Sequence, residues 1–114
     1  MLAALTALSL LVTAVDAAPS RRSRWELGAV EFYGTDKADP AQVAAKHAED
    51  IRHMLNRWGG SKTAQRQAEE RRAAIEAKVK EAYGFGWVRL DVVQLERADD
   101  GGMKALLLFD VVEK

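Results

Sequence analysis

The chain has 114 residues, room for one domain, with 48% apolar residues and 17 basic against 17 acidic side chains. That balance argues against a nucleic-acid binder or a polybasic membrane-surface protein, both of which need a basic excess on one face. Cysteine is absent, which excludes a disulfide framework, a thiolate nucleophile, a cysteine zinc site and a lipidated cysteine.

Leu2 to Val15 is apolar apart from Thr6, Ser9 and Thr13. The run falls short of the roughly 20 residues of a membrane span and fits the apolar part of a secretory signal. Val15-Asp16-Ala17 puts a small residue at the expected cut. Residues 1–17 are therefore read as a signal peptide, 18–26 as a neck and 27–114 as the folded domain. A signal of that kind marks the chain for export. Removing residues 1–17 takes Asp16 with it and leaves 17 basic against 16 acidic residues. The basic run Ser20-Arg21-Arg22-Ser23-Arg24 reads as a solvated spacer.

WELGAVEFY, Trp25 to Tyr33, alternates Val30 and Phe32 with Glu31 and Tyr33, the period of a strand. Gly34-Thr35 ends it. Asp39-Pro40 then opens a helix: Asp39 can cap the first turn, and Pro40 lacks an N–H where none is needed. Val43, His47, Ile51, Met54 and Trp58 recur at steps of three or four and form one apolar stripe. Gly59-Gly60 terminates this helix.

A second helix is expected from Ser61 to about Tyr83. Its buried face is Ala64, Ala68, Ile75 and Val79, with Ala82 or Tyr83. Opposite charges three and four residues apart support it, for example Glu76 with Lys80. The charges around Glu69 to Arg72 read as a solvated face. Gly84-Phe85-Gly86 breaks the helix. Trp87 to Leu95 and Met103 to Val112 form a β-hairpin around the turn Arg97-Ala98-Asp99-Asp100-Gly101-Gly102.

The fold class is thus α+β in the order β-α-α-β-β, a three-stranded mixed sheet with two antiparallel helices on one face. Two helices between the first and second strands reverse the chain twice. The first and third strands then run parallel side by side, and the second lies at an edge.

No catalytic, cofactor or metal site is expected. His47 and His53 lie six apart on a helix and point about 240° from each other, so they cannot share a metal. His47 reads as a core or boundary residue and His53 as an exposed one. Gly84-Phe85-Gly86 follows a helix and lacks the third glycine of a phosphate loop.

A binding surface is easier to derive. If Val88, Leu90 and Val92 face inward with Ala105, Leu107, Phe109 and Val111, the opposite face carries Trp87, Arg89, Asp91, Val93 and Leu95 with Leu106, Leu108, Asp110 and Val112. Helices on one side cannot cover that second face. Trp87, Val93, Leu106 and Leu108, joined by Tyr33, would form an exposed apolar patch of the kind that marks a partner surface. The competing expectations are that Trp25 and the neck fold over the patch, or that the domain dimerises through it. Edge-strand pairing with an extended polypeptide is a second binding mode.

The mature region resembles a POTRA domain, the polypeptide-transport-associated module of outer-membrane assembly and secretion proteins. Four features carry the resemblance. They are Val30-Glu31-Phe32-Tyr33-Gly34-Thr35 as opening strand and turn, Ala82-Tyr83-Gly84-Phe85-Gly86-Trp87 as the entry to the second strand, the hairpin itself, and Phe109-Asp110-Val111-Val112-Glu113 as closing strand. They span about residues 27 to 114. Two departures are visible: longer, more charged helices, and a chain that stops where a further module or barrel would begin.

The resemblance implies a non-catalytic periplasmic module that binds extended polypeptides or envelope partners, including outer-membrane precursors or a membrane β-barrel. The second strand would pair through its backbone, flanked by Trp87, Arg89, Asp91 and Val93. The alternative is a small structural or inhibitory domain that docks one protein through the apolar face, with Leu106 and Leu108 decisive. A hydrolase or ligand-binding domain would need a pocket with perturbed groups near His47.

Overall fold

A computed structural model describes residues 24–97 and 101–114. The expected signal peptide, most of the neck and the Asp99-Asp100 turn lie outside the described residues. The elements are β1 (Trp25–Tyr33), α1 (Pro40–Lys46), α2 (Ala48–Arg57), α3 (Lys62–Tyr83), β2 (Trp87–Arg97) and β3 (Met103–Val112). The sheet order is β1-β3-β2, with β1 parallel and β2 antiparallel to β3. The fold is α+β with a mixed three-stranded sheet, as the chain reversals require.

Two details differ from expectation. Trp25 and Glu26 do not belong to a neck: they open β1, opposite Met103 and Lys104. The first helix is two. His47, at φ −108° and ψ 22°, interrupts the helical geometry, yet its N–H still donates to Val43 and its carbonyl accepts from Ile51. The hydrogen-bond ladder thus crosses the kink, and the stripe from Val43 to Met54 stays on one side, buried throughout.

Local chemistry explains the boundaries. The Asp39 side chain accepts from the Ala41 N–H at 2.9 Å, and Ser61 Oγ accepts from the Ala64 N–H at 3.1 Å. Each cap is worth about 1 kcal/mol. Gly84 ends α3 in the left-handed region at φ 71°, the usual helix stop. Arg57 bonds Gln67, and Asp50 bonds Arg71 and Lys78. Rising numbers on α2 meet falling numbers on α3, so these two helices run antiparallel.

The core lies between the helices and one face of the sheet. Ala105, Leu107 and Phe109 of the central strand are fully buried, against Met54, Ala68, Ile75 and Val79 from the helices. Phe32 stacks on Phe109 with ring centroids 4.6 Å apart. Truncating a buried phenylalanine costs about 3–5 kcal/mol, a large share of the roughly 5–15 kcal/mol that holds a domain folded. Packing on this one strand therefore decides whether the chain folds.

Two of the motifs behind the POTRA resemblance meet in space. The Thr35 hydroxyl donates to the Glu113 carboxylate, and Lys37 pairs with Glu113 at 3.5 Å. This ties the exit of β1 to the end of β3. Gly34 sits between them at φ 92°, where an added Cβ would lie 2.0 Å from the Val111 carbonyl oxygen. At Gly84 an added Cβ would meet nothing within 4 Å. Gly84→Ala should therefore cost only the left-handed penalty, about 1–2 kcal/mol. Gly34→Ala carries the same penalty plus a backbone collision, and urea unfolding should show a clearly larger loss.

Candidate binding surface

Period two along each strand sends alternate side chains to opposite faces. The helices cover the face of Val88, Leu90, Leu107 and Phe109. On the other face the register sets Ala29, Leu106 and Val93 in one row across the sheet. Glu31, Leu108 and Asp91 make the next, then Tyr33, Asp110 and Arg89, and finally Val112 beside Trp87. No described element covers these rows. Tyr33 is 57% exposed, Val112 56%, Leu95 47%, Trp87 45% and Val93 41%.

All seven residues expected at a partner site, Trp87, Arg89, Asp91, Val93, Leu95, Leu106 and Leu108, fall on this face. They do not form one unbroken apolar patch. Val93, Leu95, Leu106 and Leu108 make one apolar cluster, and Trp87 with Val112 makes another. Between them lies a charged band, in which Arg89 donates to Asp91 at 3.1 and 3.2 Å and sits opposite Asp110. Leu106 and Leu108 are half-buried, less open than expected. They stand on the central strand, with neighbours on both sides. Leu95 is the extra residue of a β-bulge between Gln94 and Glu96. Its Cδ2 lies 3.1 Å from where a Cβ on Gly28 would stand, so it leans across β3 toward β1.

Trp25 does not fold over this face. It packs against the core on the helix side and lines a pocket of about 220 Å³ with Leu27, Ala44, Ile51 and Leu55. Sequence reasoning missed that pocket. Trp25 and Leu27, two apart on a strand that faces α2, were the signal for it.

The β2 edge also differs from expectation. The charges from Glu69 to Arg72 are not simply solvated. Arg72 bonds Glu69 at 2.6 Å and Glu76 at 2.8 Å, so Glu76 pairs back along α3 with Arg72. The Leu90 N–H donates to Glu76 Oε2 at 2.7 Å, and its carbonyl accepts from Arg72 at 3.3 Å. The outward backbone groups in the middle of β2 are therefore occupied. Because these groups alternate along a strand, Val88 and Val92 point outward with Leu90. Val93 points to β3, so a proline there would break the hairpin ladder and leave the edge groups in place. Beyond Leu90, Val92 and Val93 border a shallow cavity with Trp58 and Arg72.

No group of three or more histidine, cysteine, aspartate or glutamate side chains able to hold a metal occurs among the described residues. Nor is any described helix long and apolar enough to cross a membrane. His47 is buried at the α1–α2 kink, and His53 is half-buried, more covered than expected. No family model, curated protein or solved structure matches the chain.

Burial, and then the neighbouring Lys46, lowers the His47 pKa below its ordinary 6.5; Lys78 adds to this, while Asp50 opposes it. Glu81 lines the same cleft. A histidine held neutral in the fold stabilises fully above its unfolded value of about 6.5, and that stability is lost as pH falls through the folded value. Glu49, Asp50 and Glu113 have carboxyls held below their ordinary range by Arg52, Lys78 and Thr35 respectively, so their losses come at lower pH. Thermal melts from about pH 7 to about pH 5 should show a falling midpoint in the wild type and a flatter profile in His47→Leu.

Proposed function

We infer that the domain is a non-catalytic protein-binding module of the POTRA type, carried on an exported chain and working in the periplasm beside the outer membrane. A protein partner seats on the open sheet face. The observation that carries this is the row structure of that face: two exposed apolar clusters flank a charged band, with the helices on the opposite side. The apolar clusters supply contact area, and the Arg89–Asp91–Asp110 band supplies register. The Gly34-Thr35 turn, the Tyr83-Gly84-Phe85 corner and Glu113 support the family reading through the fold alone. Each contacts its own chain, so they say nothing of the partner's identity.

The cavity bordered by Val92 and Val93 favours a second reading, in which an extended polypeptide adds to the β2 edge beyond Leu90. Two substitutions separate the readings. Leu108→Lys puts a charge in the middle of the open face, and Val92→Pro removes an outward N–H from an edge strand that tolerates proline.

A photo-crosslinking residue at Tyr33, exposed on the open face, should form a discrete adduct in the periplasm, while one at Ala82 on the helix side should not. Leu108→Lys should abolish the Tyr33 adduct, and Val92→Pro should leave it intact. The reverse pattern would establish edge pairing, and equal adducts from Tyr33 and Ala82 would refute both readings.

A further inference from the structure

Among the described residues β2 is an edge strand, paired with β3 alone. Such an edge is a template for another strand unless something blocks it. Here the block is local. Glu76 and Arg72 occupy the N–H and carbonyl of Leu90, and Glu69 anchors Arg72 from the preceding turn of α3. Among the described residues, Leu90 is the position on β2 whose backbone is bonded by helix side chains. Both latch side chains are sheltered, at 28% exposure for Arg72 and 20% for Glu76.

The sequence around Leu90 is self-complementary. Set a second copy of β2 antiparallel to the first, with a two-fold axis through Leu90. Leu90 then faces Leu90, and Val88 faces Val92. These are the residues whose N–H and carbonyl groups point outward, so they would form the hydrogen-bonded pairs. On the open face Arg89 meets Asp91 of the second copy, twice over by symmetry. Trp87 meets Val93, also twice. Opposite charges and an aromatic beside a β-branched residue are both favourable cross-strand pairs. Trp87 and Val93 are exposed in the single chain, and the Arg89–Asp91 pair within one strand can re-form across the two. The central pair of this register is the one that the latch occupies.

We propose that β2 is a homotypic pairing edge, that its occupant is a second copy of this chain, and that the Arg72–Glu76 latch on Leu90 holds the domain monomeric until it is displaced. Pairing would join two sheets into one of six strands and bring the open faces of both copies onto the same side.

Sedimentation equilibrium on the purified protein tests this. The wild type should be monomeric, and Arg72→Ala/Glu76→Ala should dimerise with a dissociation constant at least about tenfold lower. Adding Asp91→Arg should return the variant to monomer, because two arginines then oppose each other. The further exchange Arg89→Asp with Asp91→Arg should restore the dimer. A folded double variant with the mass of the wild type would overturn the proposal, as would a dimer indifferent to Asp91→Arg. Should the double variant not fold, amide exchange in the wild type still decides: Leu90 must exchange more slowly than Val88 and Val92, and equal rates would refute the latch.

Discussion

The burial of one face of β3 is the constraint on which the rest of the structure depends. Ala105, Leu107, Phe109 and Val111 must leave water together, and among the described elements the helical layer covers them. β1 and β2 take their places on either side of this strand, and the helices pack where Phe109 and Leu107 point. A strand with period two cannot bury one face without turning Leu106, Leu108, Asp110 and Val112 the other way. The open face is thus a geometric consequence of the core. Its apolar character is not: Leu106, Leu108 and Val112 point away from that core.

That distinction bears on function. On a small domain, apolar groups on a face that no described element covers are a mark of a partner surface, where a second protein would cover them. Trp25 does not do so, because β1 carries it to the helix side. The charged band between the two clusters limits what can bind. A purely apolar partner would strip water from Arg89, Asp91 and Asp110 without replacing their hydrogen bonds, which is costly. A protein surface with its own polar groups at that place fits better.

Much of this was legible in the chain. Ala105–Val112 is apolar at every position but Asp110, so the buried and open sets had to be assigned by period two from Arg89, Asp91 and Asp110, and the structure buries the set so assigned. Asp39-Pro40, Ser61 and Gly84 mark helix ends through local chemistry, and the structure places caps at all three. Strand order followed from counting chain reversals. The latch was not legible. Arg72 and Glu76 carry the same i,i+4 pattern as any solvated helix face, and only the approach of α3 to the β2 edge directs them at Leu90. The kink at His47 left no trace in periodicity, because the apolar spacing continues across it. The half-burial of Leu106 and Leu108 depends on their neighbours in the sheet, which the chain order alone does not show.

The most direct test of the account is a solvent-accessibility measurement on the methyl groups of the purified protein, using a soluble paramagnetic probe and NMR relaxation. Val93, Leu95, Leu106, Leu108 and Val112 should relax strongly, while Val88, Leu90, Leu107 and Val111 stay protected. If Leu106 and Leu108 prove as protected as Leu107, the second face is already covered within the protein itself, and a partner surface there is ruled out.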